Sequence, residues 1–132
     1  MGYGVAAAVG ASIVHPEKTV VGIVGDGGFM MSASEMATAL HHGAKPILIV
    51  CNNGIYGTIR MHQEKHYPGR VSATGLSNPD FVKLAESYGA FAARVEHADD
   101  FTDVWQAAVD SGRMALIEIA MDPRQISTQT IL

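Results

Sequence analysis

The sequence predicts an α/β fold, a three-layer α/β/α domain built on a mainly parallel sheet. Two apolar runs carry this prediction. Residues 19–24 and 46–51 have the length and the Val/Ile content of buried strands, and a helix-patterned segment lies between them. A strand, a helix and a strand in succession make the two strands parallel, with their carboxyl ends at one edge of the sheet. A third observation is that the alternation of helix and strand continues to residue 120.

Taken in order, residues 2–14 form an Ala-rich helix that Pro16 helps to end before the first strand. Ser32 and Glu35 have capping-box spacing, so the next helix is expected to start near Ser32, pass through Met36, Ala39 and Leu40, and stop at Gly43. After the second strand and Asn53 comes a loop or short helix containing Ile55, Tyr56, Ile59 and Met61. Pro68-Gly69 and residues 72–78 are rich in breakers and are expected to be exposed. Asn78 is expected to cap a helix with Pro79 at its first position. The buried stripe of that helix is Phe81, Val82, Leu84, Ala85 and Tyr88, before Gly89. A strand near 90–95, a helix near 101–109 and a strand at 115–120 complete the pattern.

The chain has 132 residues, 48% hydrophobic and 17% charged, enough to bury one core, and nothing in it requires two domains. A formal net charge of -4 with scattered Lys and Arg leaves no basic stripe, which argues against a nucleic-acid partner. No apolar run reaches the length of a membrane span and the start lacks a signal-peptide pattern, so a cytoplasmic setting is expected, with no membrane partner. Cys51 has no second cysteine to pair with and, at the end of an apolar strand, reads as a small packed hydrophobe rather than a nucleophile.

The chemistry lies just past the two strands. Gly25-Asp26-Gly27 follows the first and Asn52-Asn53 the second, so Asp26 and Asn53, 27 positions apart, converge beyond the carboxyl ends, where ligands of parallel sheets collect. A carboxylate, an amide oxygen and a glycine-rich turn at one point suit Mg²⁺ holding a phosphate-bearing ligand, because Mg²⁺ takes few protein ligands and lets phosphates complete its octahedron. Gly27 and Gly28 lack Cβ atoms, so their N–H groups can approach phosphate oxygens closely. The dipole of the helix beyond adds only about 0.3–2 kcal/mol, which leaves most of the anchoring to the metal. Taken alone, Gly25-Asp26-Gly27 reads first as a turn that Asp26 stabilises, since Asp-Gly is a common turn signal. Asn52, out of phase with Asn53, reads as a structural hydrogen-bonding residue.

The separation of the two motifs by 24 residues, with the flanking Met1-Gly2-Tyr3-Gly4, the Ala-rich 6–11 run and Asn78-Pro79-Asp80-Phe81-Val82-Lys83-Leu84-Ala85, resembles the thiamine-diphosphate-dependent acetolactate synthase and 2-oxo-acid decarboxylase superfamily. The resemblance extends over nearly the whole chain, and residues 78–85 are most similar to acetolactate synthases. It implies thiamine diphosphate and Mg²⁺ as cofactors, with Asp26, Asn53 and the backbone carbonyl of Ile55 on the metal. Gly25, Gly27 and Gly28 would meet the diphosphate, and Met1 would pack beneath the cofactor between its two rings. It further implies that residues 1–132 are the C-terminal diphosphate-binding domain of a larger homo-oligomeric enzyme, beginning after the family's first strand and so truncated at the N-terminal edge.

The glutamate that activates the cofactor is then expected on a separate pyrimidine-binding domain of the same or a partner subunit. Glu17, Glu35, Glu64, Glu86, Glu96 and Glu118 match no such motif, so no catalytic residue is expected in this chain. The implied reaction is decarboxylation or carboligation of a small 2-oxo acid, acetolactate-synthase-like; a benzoylformate- or pyruvate-decarboxylase-like domain is the alternative. A non-catalytic flavodoxin-like binding module would share the α/β alternation without needing Asp26 and Asn53 together, and a purely structural fragment is a further alternative.

The histidines suggest other readings. His62 and His66 lie one helical turn apart, but no glutamate directly follows His62, so the zinc-protease pattern is incomplete. His62 falls where the resemblance places a residue lining the substrate channel; a surface histidine fits it equally. His41-His42 sits in a helix C-terminal turn, where partial protonation is favourable. Arg60 reads as a solvated arginine, or as a partner for a substrate carboxylate.

Overall fold

The computed structural model describes residues 1–127 and 130–131, so the far C-terminal end of the expected 1–132 domain lies partly outside the described residues. Helix α1 (Tyr3–Val14) leads to strand β1 (Val21–Gly25), then to short helix α2 (Asp26–Met30) and helix α3 (Glu35–His42). Strand β2 (Ile47–Asn52) is followed by α4 (Gly57–His66), α5 (Phe81–Ser87), β3 (Phe91–Val95), α6 (Phe101–Asp110) and β4 (Ala115–Ala120). A short antiparallel ribbon, β5 (Gln125–Ser127) with β6 (Thr130–Ile131), ends the described chain.

The four strands β1 to β4 form one parallel sheet in the order β1-β2-β4-β3. Successive residues of a strand face opposite sides, so Leu48, Val50, Leu116 and Ala92 point to the layer of α1, α3 and α5, while Ile47, Ala115 and Ile117 point to α6. The two layers follow from the strand order. From β2 the chain passes over β4 to the far edge, then turns back from β3 to β4. A crossover that reverses direction and keeps its right-handed sense sets its helix, α6, on the opposite face. This is the expected three-layer α/β/α arrangement. Val21 and Ile23, on the α6 side of edge strand β1, stay 40% and 70% exposed because α6 covers β3 and β4 instead. Among the described residues no helix is long and apolar enough to cross a membrane.

Helix α1 lies tightly against β1. A Cβ built on Gly22 would sit 2.8 Å from Ala8 Cβ, and one on Gly4 would overlap the Val24 side chain, so glycines let helix and strand backbones approach. The buried Ser12 hydroxyl accepts the Lys45 N–H at 3.0 Å and ties α1 to the start of β2.

Several local expectations are corrected. The chain enters helix α2 at Asp26 itself, and the following helix starts at Glu35 rather than Ser32. No capping box forms: Ser32 contributes its backbone carbonyl to the Glu35 N–H at 3.0 Å, while its buried hydroxyl lacks a partner. The cap of α5 is Asp80, whose Oδ1 accepts the Lys83 N–H at 3.1 Å; Asn78 lies two residues earlier, its side chain engaged elsewhere. Of the loop or short helix expected after Asn53, the helix forms: α4, ten residues with none buried, beginning only at Gly57, so that Ile55 and Tyr56 precede it. Residues 72–78 are not uniformly exposed. Thr74 is 2% exposed, and residues 74–76 pair with 54–56 through Tyr56 N–H to Thr74 O at 2.8 Å and Leu76 N–H to Gly54 O at 2.9 Å. Pairing satisfies the backbone groups, which is what allows a breaker-rich stretch to be buried.

Candidate functional site

The loops that follow β1 and β2 meet at Asp26. Gly25 is extended, at φ -75° and ψ 157°, and the helix begins on the next residue, so the strand delivers Asp26 directly to the sheet's carboxyl edge. Asp26 is 2% exposed. Its Oδ2 accepts the Gly54 N–H at 2.9 Å and Asn78 Nδ2 at 2.7 Å. Both bonds fall on Oδ2, so the lone pairs of Oδ1 are not consumed by them. Gly54 turns with φ 70°, a left-handed conformation that favours glycine, and so presents its N–H to Asp26 directly after Asn53.

A cavity of about 450 Å³ opens beside Asp26. It is lined by Met1, Gly25, Asp26, Gly27, Gly28 and Ile55, six of the residues singled out from the sequence, together with Tyr3, Tyr56, Thr58 and Ile59, which were not. Asn53 lies just past β2 next to this wall, its Oδ1 accepting the Ile55 N–H at 3.2 Å, while the Ile55 carbonyl accepts the Gly57 N–H at 3.0 Å. Each of these oxygens keeps a second lone pair. His62 sits farther along α4, beyond the stretch that lines the cavity, with its ring stacked on His66 at 6.2 Å between centroids. Arg60 is paired with Glu64 at 3.2 Å. The Tyr56 ring covers Gly27: a Cβ there would lie 2.7 Å from Tyr56 Cδ1.

Behind Asp26 runs a chain of side chains that sequence reasoning did not assemble. Asn52 Oδ1 accepts Asn78 Nδ2 at 3.0 Å and the Gly54 N–H at 3.2 Å. Asn52 Nδ2 donates to Glu118 Oε1 at 2.7 Å, and Glu118 Oε2 accepts Arg94 Nε at 2.9 Å. The register explains the meeting: Glu118 pairs with Val50 on one side and Arg94 on the other, and Asn52 is two residues past Val50 on the same face. One signal was available in the sequence, a lone carboxylate inside the apolar strand Ala115–Ala120. The neighbouring Glu118 carboxylate raises the pKa of the Arg94 guanidinium further through its hydrogen bond. Burial, and secondarily the charge of Asp26, pushes the Cys51 thiol above its ordinary value, which keeps it protonated and poorly nucleophilic.

These residues fit a magnesium-bound diphosphate. The available donors are a carboxylate, an amide oxygen and a backbone carbonyl, all hard oxygens. Among the described residues no three His, Cys, Asp or Glu side chains come together, so an ion at Asp26 needs oxygens from its ligand. Gly27 lets the Tyr56 ring close on it, and at Gly28 a Cβ would meet Gly2 N at 3.9 Å, an ordinary contact distance.

Comparison with known proteins identifies the family. Residues 1–119 match the family described as thiamine pyrophosphate enzyme, C-terminal TPP binding domain, thiamine pyrophosphate being another name for thiamine diphosphate. A probable acetolactate synthase large subunit of Methanocaldococcus jannaschii is 36% identical over 126 residues, 95% of this chain and 21% of that one. The acetolactate synthase of Bacillus subtilis is 40% identical over 115 residues, 87% of this chain and 20% of that one. Among solved structures, the thiamine diphosphate-dependent 4-hydroxybenzoylformate decarboxylase of Rhodococcus jostii RHA1 superposes with a TM-score of 0.85 at 32% identity, covering 92% of this chain and 23% of that one. The chain thus spans about a fifth of the length of the curated relatives it matches.

Proposed function

Because the chain belongs to the thiamine pyrophosphate enzymes, as their C-terminal TPP binding domain, we propose that it anchors the cofactor diphosphate through Mg²⁺ in an acetolactate-synthase-like enzyme. The observation that carries this reading is Asp26: a buried carboxylate, fixed through Oδ2 by Gly54 and Asn78, beside a glycine-walled cavity. In this assignment Asp26 Oδ1, Asn53 Oδ1 and the Ile55 carbonyl hold the metal. The N–H groups of Gly27 and Gly28 take diphosphate oxygens, and Met1 supports the cofactor from the cavity wall.

Bound there, the cofactor supplies a carbon nucleophile and an electron sink for decarboxylating a 2-oxo acid. The residues of this chain bind and orient. Asp26 brings the one protein charge to the ion, and the Tyr56 ring, packed on Gly27, shields that side of the site from water. Activation of the cofactor falls to a glutamate on a pyrimidine-binding domain, in the same or a partner subunit of a homo-oligomer. Transfer to a second carbonyl, as in acetolactate synthases, is favoured by the relatives at 36–40% identity. Simple decarboxylation of an aryl 2-oxo acid is the second reading, favoured by the structural neighbour at TM-score 0.85.

Titration calorimetry of thiamine diphosphate with and without Mg²⁺ tests the anchor. Asp26→Ala is expected to remove most Mg²⁺-dependent binding and Asn52→Ala to weaken it less. Unchanged affinity in Asp26→Ala would refute the assignment.

A further inference from the structure

We infer that Glu118, paired with Arg94, is a positioning residue for Asp26, setting the direction of its free oxygen through Asn52 and Asn78; this rests on the assignment of Asp26 to the metal. Glu118 is 2% exposed and lies on the same face of the sheet as Leu116, where an apolar side chain would pack at no electrostatic cost. Taking an ion out of water costs several kcal/mol even in a real protein. Arg94 offsets part of that cost, yet its own side chain is 43% exposed and did not need a buried partner. The pair therefore does something that a hydrophobic isostere would not.

What it does follows from hydrogen-bond polarity. An ionised carboxylate only accepts, whereas an asparagine amide can present either end. With Glu118 Oε1 at 2.7 Å, Asn52 must turn its Nδ2 toward it, which leaves Oδ1 facing Asn78. Asn78 must then direct both its N–H bonds outward, one to Asn52 Oδ1 at 3.0 Å and one to Asp26 Oδ2 at 2.7 Å. The links are thus set by an anion at each end, with the Gly54 N–H adding a longer bond to Asn52 Oδ1 at 3.2 Å. Asp26 Oδ2 is saturated from two directions, by Asn78 and Gly54, so the carboxylate cannot rotate about its axis without breaking a bond. Glutamine at 118 has nearly the same shape but can itself donate. Asn52 then loses the acceptor that holds its Nδ2, and only the longer Gly54 N–H bond to its Oδ1, at 3.2 Å, opposes a flip that would set Nδ2 against the Asn78 amide group and weaken the direction of the chain of donors.

Three variants of the chain test this with three readouts. In calorimetric titration with thiamine diphosphate and Mg²⁺, Glu118→Gln is expected to bind about tenfold more weakly, which corresponds to about 1.4 kcal/mol. The double variant Arg94→Met with Glu118→Met should lose affinity similarly while its unfolding midpoint is kept or raised, because replacing a buried ion pair with packed apolar groups is often neutral or stabilising. Asn78→Ser, too short to reach both Asn52 and Asp26, keeps the test open if the variants at 118 do not fold. In the absence of any ligand, the side-chain amide resonances of Asn78 should move in Glu118→Gln, although residue 118 does not touch Asn78. Wild-type affinity in a folded Glu118→Gln would overturn the positioning role and leave the metal assignment standing. Wild-type protein that binds nothing in the presence of Mg²⁺ would overturn the metal assignment and with it any role toward a cation. Unmoved Asn78 resonances would overturn the relay on their own.

Discussion

The rings of Phe29 and Phe81 meet edge to face, with centroids 5.3 Å apart and planes at 87°. Each stands three residues after a member of the Asp26–Asn78 hydrogen bond. Both rings are fully buried, so this contact clamps the end of α2 to the start of α5, near the residues that form that bond.

The clamp makes Phe81→Ala costly. Removing a buried aromatic ring destabilises by about 3–5 kcal/mol through lost transfer energy and the cavity left behind. Phe81→Leu should cost less, since it refills most of the volume. Denaturant unfolding measures both, and the Asp26 site should respond as well: Phe81→Leu is expected to weaken Mg²⁺-dependent cofactor binding despite a folded protein. A Phe81→Ala variant as stable as the parent would show that the contact carries no load.

Gly27 is predicted to be intolerant of a side chain for a different reason. A Cβ there overlaps the Tyr56 ring and lies 3.1 Å from Leu76 Cδ1, so alanine forces the ring toward the cavity. Overpacking of this kind costs about 1–3 kcal/mol. The double variant Gly27→Ala with Tyr56→Ala removes the clash, so its stability should exceed the sum of the single effects by more than the ~0.5 kcal/mol that separates independent sites. Strict additivity in thermal unfolding would mean that Tyr56 does not sit on Gly27 in solution.

Cys51 gives a pH-dependent handle on the same charge. Its thiol is raised above the ordinary value of 9.0, first by burial and then by Asp26, so at pH 8 alkylation should be slower than for an exposed cysteine and should rise with pH later than usual. Because the charge of Asp26 opposes the thiolate, Asp26→Asn is expected to shift the rate profile toward lower pH by less than the whole displacement, burial being the larger cause. A profile unmoved by Asp26→Asn, or moved upward, contradicts the proximity of the two groups.

The sheet and the meeting of the loops after β1 and β2 at its carboxyl edge were legible in the sequence because they depend on patterns that are local in the chain. Apolar runs of strand length gave β1 and β2, and the polar residues directly after them, Asp26 and Asn53, were carried to one edge by parallel topology alone. The assembly of Asn78, Glu118 and Arg94 was not legible, because it depends on which strands become neighbours. Glu118 meets Arg94 only since β4 is inserted between β2 and β3, an order that no local pattern states. Asn78 was misread for a related reason. Asn before Pro is a strong helix-start signal, but Asp80 two residues on took the cap once the pairing of residues 74–76 with 54–56 had drawn Asn78 to Asp26. Ser32 failed as a cap because α2 had already used the preceding residues as helix.

The chain by itself is expected not to turn over a 2-oxo acid, even with saturating thiamine diphosphate and Mg²⁺. Among the described residues Asp26 is the one carboxylate lining the cavity, and no glutamate or histidine lines it to move a proton; in the proposed assignment Asp26 is taken up by the ion. Positioned acid-base assistance is typically worth about 10² to 10⁴ in rate, and the cavity walls come from one domain only, so water reaches the site from the open side. Release of CO₂ from pyruvate, measured with the chain alone and again after adding a pyrimidine-binding domain in trans, separates the contributions. Cofactor binding without turnover in the first arm and turnover in the second is the expected pair of results. Enzyme-like turnover by the chain alone, lost in Asp26→Ala, would show that a group within this chain activates the cofactor, and the division of labour between an anchoring and an activating domain would have to be given up.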